Sequence, residues 1–145
     1  MSSGQRAMAD QNEDIYNRSL ALASDADRVS MEHYLVSARI EPKDPMTQFN
    51  LGNSMLAQRK FDEAAKYYHN ALQDVIDSPE PKNDSDRIER ESKIALYYFN
   101  LGNVYGILNQ PAKAVENFQK SVETLDTPIA ETNWGIALAA MGKRD

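Results

Sequence analysis

The sequence lacks cysteine and long apolar runs, and it contains only two histidines. Without cysteine, disulfide and thiolate chemistry are excluded. No run of about 18 apolar residues is present, so no membrane span is predicted. The opening residues, MSSGQRAMADQNED, have no apolar core of the kind that a signal peptide needs. These absences favour a cytoplasmic location and a polar N-terminal tail over residues 1–11.

Positive charge is also scarce. Sixteen Lys and Arg stand against 22 Asp and Glu, which gives a net charge of −6 and argues against nucleic acid as a partner. No HExxH motif, Gly-rich phosphate loop or nucleophile elbow occurs. The acidic pair Asp62 and Glu63 lies near a predicted helix start, where carboxylates interact favourably with the helix dipole. We therefore predict a protein that is not an enzyme and that has neither a cofactor nor a metal site.

One pentapeptide, FNLGN, occurs twice, at 49–53 and at 99–103, and a weaker echo, TNWGI, follows at 132–136. Helical periodicity covers the surrounding stretches 47–58, 61–76, 95–109 and 111–125, whose apolar residues recur at spacings of three and four. No stretch alternates with a period of two for long enough to predict a strand. The pattern predicts an all-α chain built from antiparallel helix pairs.

The helix pairs are copies of each other, and side chains of similar size recur at equivalent positions of the copies. Small residues recur at Gly52 and Gly102, and an aromatic residue recurs at Tyr68 and at Phe118. Helix faces that interdigitate need this alternation of small and large residues. A glycine inside a helix costs about 1 kcal/mol relative to alanine. Its repetition predicts that two helices approach closely at this position.

These residues resemble the tetratricopeptide repeat (TPR) family. Its pattern, W-x2-L-G-x2-Y followed by A-x3-F, is matched by Tyr98, Leu101, Gly102, Tyr105, Ala114 and Phe118, with Tyr in place of Trp. The resemblance implies a TPR-type α-solenoid of about three and a half repeats and roughly seven helices. Upstream, residues 29–45 resemble the second helix of an earlier repeat, with Ser30, Tyr34 and Ser37 at its small, aromatic and small positions.

The spacing of the motifs sets the predicted boundaries. The two FNLGN copies are 50 residues apart, which is 16 more than the 34-residue family period. We expect a surface loop in this insert, followed by one or two extra helical turns with a cap at Asp84 or Ser85. The predicted array runs over 12–145, with a degenerate first repeat at 12–44, a repeat at 45–78, the insert at 79–92, a repeat at 93–127 and a half repeat or capping helix at 128–145.

The resemblance also implies a binding surface. In this family the first helix of each pair lines a concave groove, and repeated asparagines there bind the backbone of an extended peptide. The positions carried over are Asn50, Asn53, Asn100, Asn103, Asn133, Phe49 and Phe99. A purely structural role for these amides and rings remains the alternative. The clamp that some members use for an acidic C-terminal tail is incomplete, because its basic positions hold Phe49, Ile129 and Asn133.

We therefore predict a protein–protein interaction scaffold whose partner is a protein or an extended peptide. Two alternatives remain: a self-assembly module and a small chaperone of the secretion type. A homo-oligomer through the last helix is a further prediction. In that helix we expect Trp134 and Leu138 to pack on the preceding pair, while Ile136 and Ala140 face outward.

Overall fold

A computed structural model describes residues 44–142 of the chain. Five helices lie in this range: α1 (Pro45–Ala57), α2 (Phe61–Ile76), α3 (Asp84–Ile107), α4 (Pro111–Thr124) and α5 (Pro128–Gly142). Residues 44–142 contain no strand, which confirms the all-α class. Five helices stand where we expected roughly seven. The expected tail and nearly all of the first repeat, 12–44, lie outside the described residues.

Two helix pairs, α1–α2 and α3–α4, fold back on themselves through turns of the same geometry. The turns place Arg59 and Asn109 in the left-handed region, at φ angles of 63° and 59°. In the first turn the Lys60 amide donates to the Met55 carbonyl at 2.8 Å, and in the second Gln110 donates to Tyr105 at 2.8 Å. The second helix of one pair, α2, then packs on the first helix of the next, α3.

An aromatic ring covers each of the two repeated glycines. A Cβ atom built on Gly52 would lie 2.5 Å from the ring of Tyr68, and one built on Gly102 would lie 2.5 Å from the ring of Phe118. Both rings are buried. Because no side chain other than hydrogen fits between helix and ring, the close approach predicted from the sequence is confirmed.

The insert forms a short loop over residues 77–83 and an extension of α3. The cap is Asn83 rather than Asp84 or Ser85, since the Asp86 amide donates to its side-chain oxygen at 2.8 Å. Residues 84–94 add about three turns before Ala95, more than the one or two expected. Arg90 holds the loop by donating to the carbonyls of Ile76, Ser78 and Pro79 at 3.2–3.4 Å.

The expected packing of Trp134 on the preceding helix pair is confirmed, whereas the orientations expected for Leu138, Ile136 and Ala140 were wrong. The buried residues of this helix are Ala130, Ala137 and Ala140. Trp134 and Ile136 are half-buried and pack on a cluster that includes Ala114 and Phe118, whereas Leu138 is 46 % exposed. Alanines allow closer approach than larger side chains do, so α5 packs on α4 through its small face.

None of the helices between residues 44 and 142 has the length and apolar character that crossing a membrane requires.

Candidate functional site

The first helices of successive repeats are neighbours, and side chains at predicted site positions join them. The ring of Phe49 on α1 lies 4.9 Å from the ring of Tyr97 on α3, measured between centroids. Further along, the Asn133 amide on α5 donates to the Asn103 carbonyl oxygen on α3 at 2.9 Å. We call the side of α1, α3 and α5 that carries Asn50, Asn100 and Asn133 the groove face.

Three of the five predicted asparagines form hydrogen bonds within the chain. Asn53 accepts a bond from the Tyr68 hydroxyl at 2.5 Å. In the next repeat the equivalent of Tyr68 is Phe118, which has no hydroxyl to donate, and Asn103 accepts a bond from Asn133. The Asn53 bond connects α1 to α2 within one repeat, whereas the Asn103 bond connects α3 to α5 of the following repeat. They match the structural role that the sequence left open.

The other two asparagines, Asn50 and Asn100, occupy the same position in consecutive repeats and are half-buried. Within residues 44–142, neither side-chain amide has a hydrogen-bond partner. Each carries both a donor and an acceptor group. Of the predicted amides, these two are therefore best placed to bind the backbone of a ligand.

The two phenylalanines of the repeated motif have different surroundings. Phe49 packs between the rings of Tyr68 and Tyr97, at centroid distances of 5.6 and 4.9 Å, so it belongs to the packing between repeats. Phe99 contacts the ring of Phe118 at 5.9 Å and also lines a pocket at the surface. Only Phe99 therefore combines a packing role with access to a ligand.

This pocket lies between α3, the end of α4 and the start of α5, and has a volume of about 350 Å³. Its lining consists of Ser92, Ala95, Leu96, Phe99, Ser121, Leu125, Thr127 and Ile129, none of them charged. Leu96, Leu125 and Ile129 are 43 %, 45 % and 61 % exposed. The pocket can therefore bury an apolar side chain of a ligand without removing a charge from water.

Sequence reasoning missed the wall that the end of α4 contributes. Ser121 donates its hydroxyl to the Ala95 carbonyl at 2.8 Å, which holds α4 against α3 and lets Leu125, one turn later, border the pocket. Leu125 ends the apolar stripe of its helix. An apolar residue four positions after the small Ser121 is the sequence feature from which this part of the pocket wall could have been predicted.

Comparison with known protein families agrees with the repeat geometry. Residues 45–74 and residues 95–124 each match a family described as tetratricopeptide repeat. Residues 45–124 belong to the tetratricopeptide repeat family. The two TPR matches cover α1–α2 and α3–α4, and the second one begins after the α3 extension. No curated protein matches the chain. TPR repeats generally mediate protein–protein interactions, and proteins of this family are typically scaffolds rather than enzymes.

The shifted pKa values of this TPR chain belong to groups outside the pocket lining. His69 on α2 and the Tyr105 hydroxyl on α3 lie 2.6 Å apart. Although His69 is exposed, partial desolvation of its ring, with the charges of Lys113 and Lys120, lowers its pKa below 6.5. Burial, with a smaller effect of Asp44, raises the pKa of Tyr97 to about 12.

Within residues 44–142, no group of three His, Asp or Glu side chains is arranged to hold a metal ion. The pocket lining offers hydroxyls and apolar groups, and Asn100, the residue after the lining Phe99, offers an amide. This combination suits binding of a polypeptide better than proton transfer.

Proposed function

We propose that this TPR protein is an interaction scaffold that holds an extended, apolar segment of a partner protein on its groove face. The observation that carries the proposal is the uncharged pocket of about 350 Å³, whose lining residue Phe99 directly precedes Asn100 on α3. Among the residues described, the amide of Asn100 has no hydrogen-bond partner. An apolar pocket with a few polar groups is typical of ligand sites.

The amides supply the contacts that do not depend on the ligand's sequence. An asparagine side chain can accept from a peptide N–H and donate to a peptide C=O. Asn50 and Asn100 hold equivalent positions in consecutive repeats, so they can bind two points along one extended segment. Each such hydrogen bond contributes about 0.5–1.5 kcal/mol net.

The pocket supplies the selectivity. Leu96, Phe99 and Ile129 form an apolar wall, and a bulky aliphatic or aromatic ligand side chain would bury against it. Burying one such side chain fully contributes about 1.5–3 kcal/mol. Because the lining has no Lys or Arg, an acidic C-terminal tail would find no partner for its carboxylates there.

The first experiment identifies peptides and then tests the amides. Peptides selected on the full chain from a random displayed library should be enriched in apolar residues. Fluorescence polarisation then measures the affinity of one of them for the wild type and for the double variant Asn50→Ala, Asn100→Ala. Two lost amide contacts should weaken binding by roughly tenfold or more, with thermal unfolding nearly unchanged.

Asn70→Ala serves as the control, because it removes an exposed amide from α2, outside the groove face. It should bind the peptide like the wild type. Equal affinity of the double variant and the wild type would contradict the proposal. Loss of helicity in the double variant would instead assign Asn50 and Asn100 a structural role.

A further inference from the structure

Exposed carboxylates adjoin the apolar pocket of about 350 Å³ that lies between α3, α4 and α5. Asp126 lies between Leu125 and Thr127, two residues of the pocket lining. The Glu131 amide donates to the Thr127 carbonyl at 3.0 Å, so Glu131 is one helical turn further along the chain. Two carboxylates therefore stand where the chain passes from α4 to α5 along the pocket.

A third carboxylate stands on the α3 side of the pocket. Glu91 lies one turn before the lining residue Ala95, on the same side of the helix. Ser121 on α4 donates to the Ala95 carbonyl at 2.8 Å, and the Leu125 amide donates to the Ser121 carbonyl at 2.9 Å. Because α3 and α4 run in opposite directions, the step from Ser121 to Leu125 leads from Ala95 toward Glu91. The three exposed side chains that adjoin the pocket are named the rim carboxylates: Glu91, Asp126 and Glu131.

The basic residues nearest the lining in sequence are engaged elsewhere. Lys93 forms an ion pair with Glu89 at 3.2 Å. Lys120 forms one with Glu116 at 3.1 Å. Arg90 donates to carbonyls at the end of α2 and in the loop that follows it. Within residues 44–142 the rim carboxylates have no such partner, so the surroundings of the pocket are negative.

We propose that the segment held on the groove face is basic: an apolar side chain fills the pocket, and Lys or Arg residues on both sides of it face the rim carboxylates. The inference rests on the proposed function, since it concerns the same pocket, and it adds the charge of the partner. An apolar centre with a polar, solvent-accessible rim is the usual anatomy of a protein interface. Charges at such a rim steer an oppositely charged partner toward the site and repel partners of like charge.

The spacing of the basic residues follows from the geometry of an extended chain. Side chains two positions apart point to the same side and lie about 7 Å from each other. Each rim carboxylate belongs to a residue that is next to a lining residue or one helical turn, about 5–6 Å, away from one. Lys or Arg two positions before and two positions after the apolar residue can therefore meet the carboxylates without entering the pocket.

Three fluorescent peptides test the proposal on the full chain. They take the sequence of one peptide selected from the displayed library and differ only two positions before and two positions after its apolar anchor, where they carry Lys, Gln or Glu. At low salt the Lys peptide should bind roughly fourfold more tightly than the Gln peptide, because each exposed ion pair adds about a factor of two. The Glu peptide should bind more weakly than both. In about 1 M salt, where the Debye length is about 3 Å, the three affinities should converge.

A triple variant removes the rim charge and keeps the size of each side chain: Glu91→Gln, Asp126→Asn and Glu131→Gln. It should bind the Lys and Gln peptides with equal affinity, and it should bind the Gln peptide as the wild type does. Circular dichroism should show unchanged helicity, since all three side chains are exposed.

The matched control neutralises three other exposed carboxylates: Asp62→Asn, Glu63→Gln and Glu123→Gln. The first two lie at the start of α2, which contributes nothing to the pocket lining. Glu123 lies two residues after Ser121 and therefore on the opposite side of α4. Because this control changes the net charge of the chain by the same amount, it should retain the preference for the Lys peptide.

Two results would overturn the inference: equal affinity of the wild type for the three peptides at low salt, and a preference for Lys that the triple variant retains. The proposed function has a separate readout. Replacing the apolar anchor of the Gln peptide by Ser should weaken binding by about tenfold or more, because the pocket then buries no apolar side chain. An anchor without effect would contradict the proposed function together with this inference, whereas flanking residues without effect would contradict this inference alone.

Discussion

Gly102→Ala adds one methyl group at the closest approach between α3 and α4. The added Cβ would lie 2.5, 2.6 and 2.9 Å from three atoms of the Phe118 ring. That ring is fully buried, so helix or ring must shift by about 1 Å to restore ordinary contact. Overpacking of this kind costs about 1–3 kcal/mol. The intrinsic preference of helices for alanine returns at most about 1 kcal/mol.

The free energy of unfolding should therefore fall by about 1–2 kcal/mol. In a chain of this length that corresponds to a melting temperature lower by roughly 3–8 °C. Circular dichroism during thermal and urea unfolding measures both quantities. The matched control is Gly135→Ala, whose Cβ meets nothing within 4 Å. At low protein concentration this control should melt at or above the wild-type temperature.

A double-mutant cycle separates the clash from other effects of the methyl group. Phe118→Leu removes the ring that the added methyl group would strike, at a cost of its own. Gly102→Ala should therefore destabilise the Phe118→Leu background less than the wild type. A Gly102→Ala variant as stable as Gly135→Ala would refute the close approach of α3 and α4.

Two further predictions concern the insert and the pH response. Asn83→Ala removes the cap of α3 and should cost about 0.5–2 kcal/mol, seen as faster hydrogen exchange over residues 84–94, whereas Ser85→Ala should be neutral. Because the folded-state pKa of His69 is lowered, its contribution to stability is present above pH 6.5 and is lost as the pH falls through the folded-state pKa. Melting curves should show that His69→Gln loses less stability on acidification than the wild type does, and an NMR titration midpoint for His69 at or above 6.5 would contradict this.

The helix pairs and their register follow from the amino-acid sequence. Each repeat has a small glycine in its first helix and an aromatic ring in its second, Gly52 with Tyr68 and Gly102 with Phe118. The sequence distance between glycine and ring is the same in both repeats. Because facing helices contact each other at regular intervals, this spacing predicts which side chains meet at the interface. The same spacing predicts the α3–α4 pair despite the insert. The cap at Asn83 and the length of the extension were not predictable, since several polar residues in that stretch can end a loop.

The sequence predicts the candidate site as a set of residues, but it does not predict which of their side chains bond within the chain. Sequence position placed Asn53 and Asn103 alongside Asn50 and Asn100. Whether a partner lies within hydrogen-bond distance depends on neighbouring helices, and the folded chain alone shows that Tyr68 reaches Asn53 and that Asn133 reaches Asn103. The pocket wall at Leu125 likewise arises where three helices converge.

The orientation of α5 depends on helix packing and could not be obtained from its sequence pattern. Trp134, Ile136, Leu138 and Met141 point in several directions on a helix, so periodicity offers no single apolar face. Packing against α4 selects the face on which Ala137 and Ala140 allow the closest approach. The larger side chain of Leu138 is left exposed. The distance between two helix backbones depends on the side chains of both helices, so it cannot be predicted from the sequence pattern of one helix.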